Sequence, residues 1–139
     1  QLVAQKNGID FINDSKATNI GATEAALTGL AVGRPNIVLI AGGDGKGADF
    51  LPLAEVVKRS VKAMTLIGKD AEKLAEVCAP LVPIARCTTL LEAVERALEY
   101  ATPGDIVLLS PACASLDMFK SYEDRGEQFR TIVEHLCRS

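Results

Sequence analysis

Apolar positions along this chain fall into short continuous runs separated by stretches of helical periodicity. LVAQ (2–5) and IDFI (9–12) flank Asn7-Gly8. Asn-Gly between two such runs is the strongest short-range hairpin signal, so the chain is expected to open on antiparallel strands. After a polar stretch, Ala22, Ala25, Ala26 and Gly29 recur at helical spacing on a small-residue face suited to close packing on a sheet. NIVLIA (36–41) is a continuous apolar run bounded by Pro35 and Gly42, the pattern of a strand buried on both faces.

The alternation then repeats. The pattern predicts a helix over 53–59 led by Pro52, a strand AMTLI (63–67) and a helix over 70–78. LVPIA (81–85) reads as a strand whose Pro83 assigns it to a sheet edge. A helix over 89–101 carries Leu90, Leu91, Val94, Ala97, Leu98 and Ala101 on one face, and Pro103-Gly104 leads into the strand DIVLL (105–109). A last helix, about 123–137, buries Phe129, Ile132, Val133 and Leu136. Strand and helix in alternation predict an α/β fold of Rossmann-like type: a mostly parallel sheet, helices on both faces, and an antiparallel N-terminal strand or hairpin. Ligands of such sheets sit at the carboxyl ends of the strands, where the loops 13–19, 42–49 and 110–122 fall.

Composition narrows the function classes. At 139 residues, 48% hydrophobic and 24% charged, the chain can bury one domain's core. A formal charge of −3 and a pI near 5.2 argue against nucleic acid or an anionic membrane as the main partner. No apolar run reaches the length of a membrane span and no signal-peptide pattern is present, so a cytoplasmic location is expected. Cys78, Cys87, Cys113 and Cys137 are too far apart for a CxxC pair and are expected as buried, reduced thiols. His135 is the single histidine, so no metal centre is expected.

Three polar stretches carry candidate chemistry. NDSKATN (13–19) has more polar groups than one helix cap uses, and Lys16 opposes the helix dipole unless it faces an anion. GGDGKGADF (42–50) matches the dinucleotide pattern at Gly43, Gly45 and Ala48, with Asp70 as the following acidic residue. Asp49, Phe50 and Pro52 delay the helix that this motif should open, and a phosphate-binding P-loop fits worse. Gly47 stands after Lys46 where a magnesium-holding hydroxyl belongs. Lys46 is then either a solvated turn residue or a point cation offered to an anionic ligand, with a dinucleotide-binding module as the other reading. In SPACASLDMFKSYEDRG (110–126), Pro111 and the small residues allow close backbone approach. Ser115 serves there either as a hydroxyl donor or as a cap for the turn at Leu116, while Met118, Phe119 and Tyr122 read as packing residues.

The three stretches, in this order and over essentially the whole chain, closely resemble the C-terminal domain of the Mur ligases. The first and third resemble the branch that adds D-glutamate. The resemblance implies that residues 1–139 form one domain that presents D-glutamate, with the UDP-binding and P-loop ATPase domains of the family absent. It further implies a monomeric cytoplasmic enzyme of peptidoglycan synthesis using ATP and Mg2+, held mainly by the missing central domain. In that chemistry ATP phosphorylates the carboxylate of UDP-N-acetylmuramoyl-L-alanine, and the amine of D-glutamate attacks the acyl phosphate. By resemblance, Thr18, Lys46 and Ser115 hold D-glutamate, Leu116 gives a backbone contact, and Tyr122 stands where a relative carries phenylalanine. Lys16 matches the catalytic lysine near the reacting phosphates, and Asp14 matches the acidic residue that reaches the ATP ribose.

Overall fold

Asn7 and Gly8 both take positive φ, 55° and 78°, in the computed structural model of the chain, which describes residues 1–138. Two consecutive residues of this kind form the tight turn whose twist matches paired strands. They join β1 (Leu2–Lys6) to β2 (Ile9–Asn13) with Lys6 opposite Ile9. The other strands are β3 (Ile37–Gly42), β4 (Val61–Ile67), β5 (Ile84–Arg86) and β6 (Ile106–Leu109). They lie in the order β1-β2-β6-β3-β4-β5, parallel throughout except for β1 against β2. The helices are α1 (Ile20–Leu30), α2 (Ala54–Ser60), α3 (Ala71–Cys78), α4 (Leu90–Tyr100) and α5 (Tyr122–Cys137). A single 3-10 turn, Leu51–Leu53, precedes α2.

The two-residue period of β3 sorts its side chains into two cores. Ile37, Leu39 and Ala41 pack with Leu27 of α1, Val57 of α2 and Leu74 of α3. Val38 and Ile40 face Val94 and Ala97 of α4 and Phe129 and Val133 of α5. All six residues of β3 are buried, as its continuous apolar run requires of a strand covered on both faces. Buried Thr65 of β4 spends its hydroxyl on the Ala93 carbonyl at 3.1 Å. The expected α/β architecture and its antiparallel N-terminal hairpin are therefore present.

Four details differ from the sequence reading. Helix α1 buries Thr23 and Leu27, while Ala25 and Gly29 of the expected small-residue face are exposed, so close packing of small residues does not seat this helix. Strand β5 begins at Ile84, not 81, because Leu81 and Val82 donate their amides to the Cys78 carbonyl and extend the end of α3. Pro83, with no N–H to offer, still accepts from Met64 at 3.0 Å, and β5 does lie at the sheet edge. Leu91 is 47% exposed, since the buried stripe of α4 runs through Leu90, Ala93, Val94 and Ala97. Cys137 is half-buried rather than buried; Cys78, Cys87 and Cys113 are buried, and all four are free thiols.

The end of the sheet away from the three polar loops is clamped by Asp105, 3% exposed. Its carboxylate accepts from Lys62 Nζ at 2.7 Å, from the Thr102 amide at 2.8 Å and from Thr102 Oγ1 at 3.1 Å. Burial alone would raise its pKa, but these hydrogen bonds outweigh burial and hold it below the ordinary value of 3.8. A carboxyl whose folded pKa lies below its unfolded one adds stability above the unfolded value and loses it as pH falls through the folded value. Asp105→Asn should therefore cost about 1.5–3 kcal/mol at pH 7. It should also flatten the loss of stability below pH about 4, as thermal melts across pH would record.

Candidate functional site

Because β2, β6, β3 and β4 run parallel, the loops that follow them emerge at one edge of the sheet. The loop after β2 turns at once. The Asp14 amide donates to the Leu109 carbonyl at 2.8 Å and the Asp14 carbonyl accepts from Ala17 at 2.9 Å. Asn19 alone caps α1, its side chain accepting from the Ala22 amide at 2.9 Å. Asp14, Ser15, Lys16 and Thr18 are thus released from capping. Lys16 is exposed, Asp14 and Thr18 are half-buried, and Ser15 is buried.

The glycine loop after β3 is closed on itself. A Cβ on Gly42 would collide with the Ile67 carbonyl oxygen, one on Gly43 with that of Ala114, and one on Gly45 with the Phe50 ring. The Gly42 amide donates to Pro111, that of Asp44 to Ala114 at 3.0 Å, that of Gly45 to Asp70 Oδ2 at 2.7 Å and that of Lys46 to Asp44 Oδ1 at 2.9 Å. With these amides spent internally, no row of N–H groups is left to cradle a pyrophosphate. Asp70, 6% exposed, is committed to Gly45 rather than open to a ribose. The dinucleotide reading therefore fails, and the glycines serve close packing of strand ends. Lys46 sits at φ 53° with its side chain exposed and, among the described residues, in no ion pair.

The loop after β6 completes the site. Its Ala112, at φ 62°, donates to the Ala17 carbonyl at 3.0 Å, and Asp44 and Ala114 exchange both backbone hydrogen bonds. Cys113 is fully buried, and burial, reinforced by Asp70, pushes its thiol up to about 12, which makes it a packing group rather than a nucleophile. The Ser115 carbonyl accepts from Met118 and Phe119, so Ser115 does begin a turn. Ser121 caps α5 by accepting from the Asp124 amide at 3.0 Å.

Thr18, Ser115, Leu116 and Tyr122 converge on one cavity of about 250 Å³, completed by Ala114 and Ser121. Leu116 and Tyr122 are 69% and 42% exposed at its mouth, so Tyr122 is a rim residue and not a core one. Lys16 lines a second cavity, of about 310 Å³, with Ser15, Glu123 and Arg130, and Tyr122 borders both. Lys46 lines neither; it lies two residues from Asp44, which is bridged to Ala114 in the first cavity's wall. Asp14 also lines neither, its Oδ2 accepting from Ser110 Oγ at 3.0 Å.

One residue that organises the site escaped the sequence reading. Arg125 on α5 is 1% exposed. Its Nε donates to Ser15 Oγ at 2.9 Å, Nη2 to the Ser15 carbonyl at 2.7 Å and Nη1 to the Cys113 carbonyl at 3.0 Å. Ser15 Oγ in turn donates to the Tyr122 carbonyl at 2.7 Å. Burial lowers the Arg125 pKa to about 10, which leaves it charged at neutral pH. A Cβ on the next residue, Gly126, would lie 2.8 Å from Asn13 Nδ2 and 3.2 Å from Ser15 Cβ, so a larger residue there would make the Asn13 side chain shift. The available signal was spacing: Arg125 precedes Phe129 and Val133 at four-residue steps, a charge on the buried stripe.

The family model described as "Mur ligase, glutamate ligase domain" matches residues 1–113. The UDP-N-acetylmuramoylalanine–D-glutamate ligase of Marinobacter nauticus is 58% identical over 136 residues, 98% of this chain and 30% of that protein. The ligase of the same name from Hahella chejuensis is 57% identical over 137 residues, 98% of this chain and 31% of that protein. The chain thus spans under a third of the length of these relatives. A domain assigned to a UDP-N-acetylmuramate:L-alanyl-gamma-D-glutamyl-medo-diaminopimelate ligase of Haemophilus ducreyi superposes with a TM-score of 0.64 at 19% identity. The superposition covers 94% of this chain and 96% of that one, and shows the shared fold. From a family match over most of its length and relatives more than half identical, the chain belongs to the Mur ligase, glutamate ligase domain family.

Proposed function

We propose that the chain is the C-terminal, D-glutamate-presenting domain of a monomeric cytoplasmic ligase that joins D-glutamate to UDP-N-acetylmuramoyl-L-alanine with ATP, in peptidoglycan synthesis. The UDP-binding and P-loop domains belong, in this reading, to the part of the relatives that this chain does not span. The observation that carries it is the convergence of Thr18, Ser115, Leu116 and Tyr122 on one cavity, with Lys46 on the loop bridged to its wall.

D-glutamate brings two carboxylates, each in need of donors. Thr18 and Ser115 offer hydroxyls at the cavity, Leu116 offers its amide, and Lys46 supplies a mobile point charge at the rim. Each charge-assisted hydrogen bond contributes about 1.5–3 kcal/mol. What this domain gives the reaction is position: the D-glutamate amine is held on a rigid sheet edge, facing the activated carboxylate. Lys16, in the neighbouring cavity that Tyr122 also borders, has in this reading the role of stabilising negative charge that gathers on the reacting phosphates. ATP supplies the phosphoryl group that activates the carboxylate. Asp14, with one carboxylate oxygen uncommitted among the described residues, suits a ribose hydroxyl. Mg2+ is held, in this reading, mainly by the central domain; no group of three or more His, Cys, Asp or Glu among the described residues is placed to hold a metal ion.

The two lysines should separate kinetically in the full-length protein. Lys46→Met should raise the D-glutamate KM about tenfold or more with little change for ATP. Lys16→Met should lower kcat more than it raises any KM, because its interaction strengthens as charge moves. Steady-state kinetics showing equal effects of both on kcat and KM would sink this division. The isolated chain, given ATP, D-glutamate and the nucleotide substrate, should release no phosphate; release at the full-length protein's rate would contradict the domain assignment.

A further inference from the structure

We infer that Ser110, at the carboxyl end of β6, is a positioning residue for nucleotide recognition: its hydroxyl holds one oxygen of Asp14 inside the fold and thereby turns the other outward. The inference rests on the proposed role of Asp14 as the ribose contact and supplies the part that makes Asp14 selective.

Ser110 and Thr23 are both fully buried, and Asp14 is half-buried. Ser110 Oγ lies 3.0 Å from Asp14 Oδ2 and 3.2 Å from Thr23 Oγ1, while Thr23 Oγ1 lies 3.1 Å from the Ser110 carbonyl. Proton counting decides the arrangement, because each hydroxyl has one proton to donate. Thr23 spends its proton on the Ser110 carbonyl. Ser110 must then choose between the neutral Thr23 oxygen and the Asp14 carboxylate, and the charged acceptor wins.

Asp14 is therefore held at both ends by adjacent residues of one strand and its continuation. Its amide donates to the Leu109 carbonyl at 2.8 Å, and its Oδ2 accepts from Ser110. The carboxylate torsion of an aspartate is otherwise broad and roughly two-fold, so an unheld group samples many orientations. Fixing it in advance removes the ordering cost from ligand binding. Oδ1, which has no hydrogen-bond donor among the described residues, is left to accept from a ligand hydroxyl. The anchor lies beneath the loop that also bears Lys16 and Thr18, so it acts on the nucleotide without touching the D-glutamate cavity.

The test compares KM for ATP with KM for 2′,3′-dideoxy-ATP in the full-length protein carrying this chain. The unmodified protein should prefer ATP by about tenfold, the scale of one hydrogen bond to a charged group. Asp14→Ala should abolish the preference, and Ser110→Ala should cut it to about a third or less while leaving the D-glutamate KM within about twofold. Thr23→Val, which removes the competing acceptor and the donor to the Ser110 carbonyl but leaves the bond from Ser110 to Asp14, should keep it. Ser110→Cys, near in shape but a weak donor, should fall between the unmodified protein and Ser110→Ala, and its ratio is read in the same way if Ser110→Ala does not fold. A full preference in Ser110→Ala, with the preference lost in Asp14→Ala, would overturn the positioning role alone. Equal losses in Ser110→Ala and Thr23→Val would reduce it to general loosening and overturn it too. An undiminished preference in Asp14→Ala would overturn the ribose reading and this inference together.

Discussion

Burying a guanidinium without a carboxylate partner is costly unless its donors are satisfied, and the site depends on how Arg125 meets that condition. Its three hydrogen bonds go to Ser15 on the loop after β2 and to Cys113 on the loop after β6. The fork is rigid and planar, so the two loops are held at one separation rather than merely near each other. Thr18 and Ser115 project from these same loops and line a common cavity, across which Arg125 helps to set the separation of the two loops. Backbone pairing extends the arrangement: Ala112 joins Ala17, Ala114 joins Asp44, and Asp70 joins Gly43. The four loops at this edge form one connected surface.

A surface of that kind suits a reaction in which the protein's main contribution is placement. Nothing in the site needs a strong nucleophile, and the most buried thiol beside it, Cys113, is held in its inert form. The charges are distributed by distance. Arg125 is enclosed and structural, whereas Lys16, in the cavity that Tyr122 borders, and Lys46, on the glycine loop, are exposed and free to meet a diffusing anion. Separating a buried cation that shapes the cavity from exposed cations that bind lets each be set without disturbing the other.

Much of this was legible in the sequence, for physical reasons that differ by element. Asn7-Gly8 admits few backbone solutions, and the run at 37–41 is apolar at every position, so the hairpin and the central strand could be read directly. The edge strand β5 was misplaced because LVPIA looks extended, while the amides of Leu81 and Val82 are drawn to Cys78 at the end of α3. The glycine loop misled by composition: its glycines answer collisions with Ile67, Ala114 and Phe50, contacts between segments far apart in sequence. Arg125 and Ser110 were hidden for the same reason. Ser15, which takes two of the three Arg125 bonds, and Asp14, which Ser110 holds, lie 110 and 96 residues away, and no local pattern encodes a hydrogen bond of that reach.

The most direct test of this account is the D-glutamate KM of Arg125→Lys in the full-length protein, measured where a thermal melt shows it folded. Lysine keeps the charge but replaces the planar fork with a single nitrogen, which cannot hold both loops at the same separation. The account predicts a rise in KM of about tenfold or more, the scale of losing one well-placed charge-assisted contact. An unchanged D-glutamate KM in folded Arg125→Lys would show that the cavity forms without the bridge and would contradict the account.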